Sequence, residues 1–337
     1  MKQGREASRR KSLCRLTARA TLLLLVVTSV AQAEENLNQG PFCVQGQSVF
    51  QVLRLTMIPW CEAPLSKGQF QLQTLATWVN SWCWMAGGYL VDGEVLRIRT
   101  ALSYGLTEWL QLRFEVPATL YTGGILDPAI EGFHEGLDIF NSYREAFPQN
   151  RFRVVFYPPG GGEVRLDSRN TGLALGDLIL SANARLSAGT RYLPAVLLGM
   201  DLKIPTGFNE GGGVDVAGNL FLAKRVWRLY GFGGVQFTHY GKAVILGVPL
   251  KSDLWSFILG VEAALTDRFS LLIQQFTDTG QADDFYTFSE SAYEIEAGFK
   301  YRIAACTRLE FAVIQNLANY DNSPDVGAHF GITHRFQ

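Results

Sequence analysis

Tyr293-Glu294-Ile295-Glu296-Ala297-Gly298-Phe299-Lys300-Tyr301-Arg302-Ile303 alternates without a break: Tyr293, Ile295, Ala297, Phe299, Tyr301 and Ile303 share one parity, Glu294, Glu296, Lys300 and Arg302 the other. Side chains at i and i+2 lie on one face of a strand, so the stretch predicts a strand with one apolar, aromatic face and one charged face. The pattern recurs. Leu110, Leu112, Phe114, Val116, Ala118 and Leu120 alternate with Gln111, Arg113, Glu115, Pro117 and Thr119. Trp255, Phe257, Leu259, Val261, Ala263 and Leu265 alternate with Ser256, Gly260 and Glu262. The last segment sets Val326, Ala328, Phe330, Ile332 and Phe336 against Asp325, Gly327, His329, Thr333 and Arg335.

A soluble sandwich alternates too, with its polar face in water. Length and spacing separate the two readings. These segments run about 10–15 residues, which suits a tilted membrane strand better than the usual strand of about 5–6. Short turns alternate with long loops, the asymmetry of outer-membrane barrels. The expected fold is therefore all-β, a transmembrane antiparallel β-barrel with its apolar faces toward lipid. Strands are expected near 67–79, 91–105, 108–121, 172–188, 190–205, 214–224, 227–240, 253–265, 267–278, 291–304, 307–319 and 325–336. Tight turns fall near Gly105-Leu106-Thr107, Ala188-Gly189-Thr190, Arg225-Val226, Thr266-Asp267 and Ala305-Cys306. They share one side, the periplasm, only if 122–171 returns to its starting side without adding a membrane strand. Arg151–Tyr157 and Glu163–Asp167, joined by Pro158-Pro159-Gly160-Gly161-Gly162, are then expected to pair outside the membrane, and the count is twelve.

Composition agrees. Charged residues are 18% against about 25% for an average globular chain, and aromatic residues are 12%. This is no disordered chain. Beyond residue 33 no run of about 18 apolar residues argues for a helical membrane protein.

Residues 1–33 read as an address. Lys2, Arg5, Arg9, Arg10, Lys11, Arg15 and Arg19 precede the apolar run Leu22–Val27, and Ala31-Gln32-Ala33 follows. That is the layout of a secretory signal cleaved after Ala33. A retained anchor is the alternative, but the apolar core is too short to span. Arg9-Arg10 resembles a twin-arginine signal, although nothing points to a cofactor that would need cytoplasmic insertion, and no cofactor is expected. Without these residues a chain of net charge −1 falls to about −7, which disfavours nucleic acid as a partner. The expected partners are outer-membrane lipid, the outer-membrane assembly machinery and a small-molecule solute. Residues 34–66 are expected to form an N-terminal periplasmic segment or a plug, and 67–337 the barrel. Cys43, Cys61, Cys83 and Cys306 remain after cleavage; Cys43–Cys61 is the pairing proposed for an oxidising compartment, because it closes a short loop.

The segment 122–171 is too long for an idle connection. Asp127-Pro128 offers an N-cap followed by proline at the first helical position. Ile130, Phe133 and Leu137 share one face of the expected helix, and Glu131, His134, Glu135 and Asp138 gather on another. Such a helix plus the hairpin would cap the barrel mouth or fold into the lumen.

Ile130-Glu131-Gly132-Phe133-His134, Asn150-Arg151-Phe152, Leu175-Gly176-Asp177-Leu178, Lys203-Ile204-Pro205-Thr206-Gly207 and the ending from Ser323-Pro324-Asp325 to Arg335-Phe336 occur in this order. As an ordered set, spanning about Gly88 to the C-terminus, they resemble a bacterial family known as domain of unknown function 3187. The resemblance implies an outer-membrane β-barrel in a Gram-negative cell and implies no activity. The Pro-Thr-Gly strand ending also looks like barrels encoded with phenol-degradation pathways. One departure is that Gln337 follows Phe336, where outer-membrane strands often end on the aromatic residue.

Glu131, His134, Glu135 and Asp138 have the spacing to hold one divalent ion, set against the commoner reading of a solvated polar helix face. His134, His239, His329 and His334 occur without G-x-S-x-G, so no nucleophile motif supports an enzyme. Gly211-Gly212-Gly213 lacks the Gly-Lys-Ser/Thr that completes a phosphate loop. The inward register is richer. Arg97, Arg99, Arg113 and Glu115 flank the Gly105 turn, and Lys300, Arg302, Arg308 and Glu310 flank Ala305-Cys306. They form either a cross-strand ion-pair ladder or a charged constriction that selects solutes. The functional expectation is a passive channel for small solutes or apolar compounds. The alternatives are a structural or assembly barrel with a plugged lumen and, behind it, an interfacial lipid-acting enzyme.

Overall fold

The computed structural model describes residues 39–60, 64–137, 143–207 and 212–336, so the leader 1–33, Cys61 and Asp138 lie outside the described residues. Its strands are β1 (Phe70–Met85), β2 (Tyr89–Gly105), β3 (Leu110–Thr122), β4 (Arg153–Phe156), β5 (Val164–Leu166), β6 (Gly172–Leu175), β7 (Leu178–Ser187), β8 (Ala195–Ile204) and β9 (Asp215–Val226). They continue with β10 (Leu229–Tyr240), β11 (Val244–Ile245), β12 (Val248–Pro249), β13 (Asp253–Ala264), β14 (Phe269–Asp278), β15 (Ala292–Ala304), β16 (Thr307–Ala318) and β17 (Val326–Phe336). One helix, α1 (Asp127–Leu137), follows β3.

Twelve strands close a ring. Each of β1, β2, β3, β7, β8, β9, β10, β13, β14, β15, β16 and β17 pairs antiparallel with the next, and β17 returns to β1 in the register Phe70↔Phe336 through Asn80↔Val326. Closure leaves no open edge in the ring. All the expected strands are present, and the alternation does what period two requires. On β13, Trp255, Phe257 and Leu259 face out, whereas Leu254, Ser256, Ile258 and Glu262 face in. Leu259 is 69% exposed and Glu262 0%. An apolar outer surface around a charged interior is stable only with hydrocarbon outside, because water there would leave the apolar belt uncovered.

Four boundaries differ from the sequence reading, the smallest at Arg225-Val226, which end β9 while the turn lies at 227–228. Residues 79–90, expected as a loop, are mostly ladder: β1 and β2 pair to Met85↔Tyr89 and turn over 86–88. The hairpin stays ordered because β4 adds to β2 (Tyr89↔Phe156 to Asp92↔Arg153), burying Trp82 and Leu90 against Val155 and Phe147. The span 172–188 splits into β6 and β7 at Gly176-Asp177, where the Asp177 carboxylate accepts from Lys203 Nζ at 2.6 Å and from Gly207 N at 2.8 Å. The turn expected at 188–190 extends to 194, and β8 starts at Ala195. There Thr190 Oγ1 accepts from Tyr192 N and Leu193 N at 3.2 and 3.0 Å, and Lys224 Nζ donates to the Arg191 and Leu193 carbonyls. These local bonds replace the ladder.

Glycines shape the inner wall at two places. Gly234 lies directly across from Phe221, and Gly260 from Phe232. A Cβ at either would fall 2.1 or 2.4 Å from the opposing ring, so only glycine lets these rings lie flat along the wall.

Candidate functional site: the lumen

The ring has two ends. The near end holds both barrel termini and the short connections 106–109, 227–228, 265–268 and 305–306; the far end holds 123–171 and the β11–β12 hairpin. Between them the described N-terminal residues 39–60 run inside the ring. Nearly all are buried, and inward wall side chains hold their main chain.

The ascending limb begins at the near end. Glu262 accepts from Gln39 N and Gly40 N at 2.8 and 3.0 Å. Arg308 Nη1 donates to the Gln39 carbonyl at 2.7 Å, and Lys300 Nζ donates to the Pro41 carbonyl. Gln274 then brackets Phe42, accepting from its N–H at 2.9 Å and donating to its C=O at 3.1 Å. Arg99 donates to the Cys43 carbonyl. The limb reverses through a short 3₁₀ turn, Gln51–Leu53, where Gln51 Nε2 donates to Asp278 at 2.7 Å and Arg97 Nη1 to the Val52 carbonyl at 3.1 Å. On the way back Leu55 N donates to Asp215 at 3.0 Å, Tyr240 OH donates to the Leu55 carbonyl at 3.1 Å, and the Arg54 guanidinium lies 3.4 Å from the Tyr240 ring centroid. Backbone groups out of water need partners, and here the wall supplies them. Phe42, Val44 and Met57 pack on inward Val79, Phe221, Phe232, Ile258 and Phe276.

The eight charges expected inward from the sequence fall into two groups. Arg99 Nη1 lies 3.5 Å from Glu115 Oε1, Arg113 pairs with Glu115 Oε2, and Arg113 Nη1 donates to Gln73 at 2.7 Å. Arg97 stands on the same face of β2, two residues from Arg99, and donates to the Val52 carbonyl, so two guanidiniums share the Glu115 carboxylate with a third close by. In the second group Lys300 Nζ lies 3.0 Å from Glu310, whose other oxygen is 2.9 Å from His329 Nε2; Thr77 Oγ1 is 2.8 Å from His329 Nδ1. Arg302 and Arg308 face each other across β15 and β16 at the near mouth, only partly buried.

The sequence reading found these charges because alternation assigns them inward. It missed Glu262, Gln274, Asp215, Asp278 and Tyr240, whose importance comes from what they hold. Their signal was present as polar residues on the inward parity, without any cue to a chain segment as their partner. For the helix-borne metal candidate, Glu131 accepts from Gln149, Glu135 is exposed, and the His134 side chain and Asp138 lie outside the description. Among the described residues no three His, Cys, Asp or Glu side chains group as metal ligands. The proposed Cys43–Cys61 pair likewise has its second member outside the description.

At the far end Arg144, from the segment after α1, is buried and donates to Asp127 and Asn80 at 2.6 Å; its Nη1 lies 3.4 Å from Asp325. Burial pushes the Asp325 carboxyl up to about 7 against the pull of Arg144, with Asp321 adding to the rise.

Cavities remain among the described residues around the inner segment. One of about 410 Å³ opens at the near mouth beside Arg185, Arg302, Arg308 and Arg335. One of about 330 Å³ lies toward the far end. Between them a void of about 30 Å³ sits by Arg113 and Cys43.

The family described as "Protein of unknown function (DUF3187)" matches residues 17–336. No curated protein matches the chain. Among solved structures an outer membrane channel from Pseudomonas putida F1 is similar over 83% of this chain and 100% of its own, at 13% identity and a TM-score of 0.55. The NanC porin aligns over 78% of this chain and 98% of its own, at 9% identity and a TM-score of 0.47. At 13% identity the likeness to the Pseudomonas putida channel is one of fold.

Proposed function

Because this chain belongs to the DUF3187 family, whose description carries no activity, we propose its function from the lumen itself: an outer-membrane channel for small solutes or apolar compounds, closed at rest by its own residues 39–60. The protein reaches the outer membrane of a Gram-negative cell after export and loss of residues 1–33, and the short near-end turns face the periplasm, as is usual for such barrels. The observation that carries the reading is the division of the lumen. A cavity stands at each end, and the inner segment with the Arg97–Arg99–Arg113–Glu115 cluster lies between them. The wall grips the segment mainly through side-chain bonds to its main chain, which water can replace one by one as the segment withdraws. In the open state the exposed guanidiniums line the narrowest part and favour anionic or neutral solutes. Thr307 Oγ1 lies 2.8 Å from His334 Nδ1 beside the near-mouth cavity, and the divided lumen favours transport over chemistry.

A second reading has one observation of its own. Phe42, Val44 and Met57 complete an apolar cluster with the wall, as a permanent filling of a structural barrel would.

Conductance in planar bilayers separates the two. Intact protein is expected to show rare openings, and a variant lacking residues 39–60 frequent ones, with selectivity shifted toward cations by Arg97→Glu or Arg113→Glu. A deletion variant that folds and stays silent would leave the structural reading.

A further inference from the structure

The far-end cavity of about 330 Å³ lies where the inner segment meets the outer connections. Its apolar lining comes from Val49, Val52 and Leu53 on the inner segment, and from Val91, Val154 and Phe152 on the hairpin wall. Its polar end holds Asp92 and Gln47. Two features mark it as a built site. Packing defects in protein interiors rarely exceed one water, whereas this volume falls in the range of small-molecule pockets. Gln47 is 2% exposed, yet its Oε1 has no hydrogen-bond partner, and the Asp92 side chain, 5% exposed, lines the same cavity. A buried acceptor left open is costly, and a ligand donor would satisfy it.

The backbone is adapted to the same place. Gly93 takes φ +158°, and a Cβ there would lie 2.7 Å from Phe152 Cδ2. Its lack of a side chain lets Phe152 close over the wall beside Tyr121, with ring centroids 6.0 Å apart.

We propose that this cavity binds a neutral molecule of one or two apolar rings carrying a hydroxyl group, the rings among Val49, Val52, Val91, Val154 and Phe152 and the hydroxyl donating to Asp92 or Gln47. The proposal gives the channel reading its solute class and rests on that reading for its meaning, but binding is measured without transport. Carboxylate-bearing ligands are disfavoured, since they bring no donor to Gln47 and would lie beside Asp92, while Arg169, which also lines the cavity, is already paired with Asp167.

The test uses full-length protein in nanodiscs and 2-naphthol as the probe, its fluorescence reporting occupancy, with 2-naphthoate for comparison. Saturable binding of 2-naphthol at least tenfold tighter than 2-naphthoate is expected. Asp92→Asn with Gln47→Leu should reduce 2-naphthol affinity about tenfold, and Val154→Trp, which fills the cavity, should abolish binding. Leu53→Trp fills it from the inner segment and serves should Val154→Trp fail to show the folded electrophoretic mobility. Absence of saturable binding to the unaltered protein, or binding that survives both filling substitutions, overturns the proposal. Binding with this pattern in a protein that never conducts would retain the site and remove the channel. Conduction without binding would do the reverse.

Discussion

Gln274 meets Phe42 as a neighbouring strand would, its side-chain amide accepting the Phe42 N–H at 2.9 Å and donating to the Phe42 C=O at 3.1 Å. A single side chain thereby supplies both bonds of a β-bridge to a segment that has no strand beside it. Gln274 is 1% exposed, so no water stands ready to take its place in the closed state.

Replacing it should loosen the inner segment. Gln274→Leu leaves the Phe42 amide and carbonyl buried without those partners, at a cost of about 1–3 kcal/mol for each unsatisfied group. Opening frequency in bilayers should rise, as should protease cleavage within 39–60, and Gln274→Glu, which loses the bonds donated to Phe42 and Glu296 and sets two carboxyl groups together, should not restore the closed behaviour.

Glu115 is the anion shared by Arg99 and Arg113, and all three are buried. Glu115→Gln would strand two guanidiniums out of water, a loss of about 3–5 kcal/mol by the usual cost of breaking a buried pair. The temperature at which the heat-modifiable folded band disappears should drop clearly. An unchanged transition would show that the cluster is wet and weakly coupled.

The Arg144 clamp should depend on pH. The folded Asp325 carboxyl titrates near 7, above its ordinary value, so its contribution to holding the clamp is complete in acid and lost as pH rises through about 7. The side chain keeps 24% exposure, and solvent moderates the effect. Amide exchange over 143–150 should therefore quicken as pH rises from about 4 to 7, beyond its intrinsic increase, and show no further excess above that. Asp325→Asn should remove that excess.

Orientation can be read on intact cells. Gly161→Cys, in the exposed turn between β4 and β5, should react with a membrane-impermeant maleimide, and Asp267→Cys, in the near-end turn between β13 and β14, should not. Labelling at 267 alone would invert the barrel.

Sequence by itself determined the wall. Period two is a local property of the chain: once Tyr293–Ile303 or Leu110–Leu120 is extended, geometry assigns each side chain to lipid or lumen, and parity closes the ring at twelve strands. It also identified Arg99, Arg113, Glu115, Lys300 and Glu310 as inward charges, because a charge on a lipid-facing register is too costly to stand. Tertiary structure alone decided what those charges hold. Glu262 and Gln39 are separated by 223 positions, and Gln274 and Phe42 by 232, and no periodicity couples such distant residues. The same holds at the far end, where the order of β1–β2 beyond residue 79 follows from β4 folding back onto it, and where a cavity arises from side chains on several separate stretches of chain. Alternation reports which face a residue takes; only the closed ring fixes what lies within reach of that face.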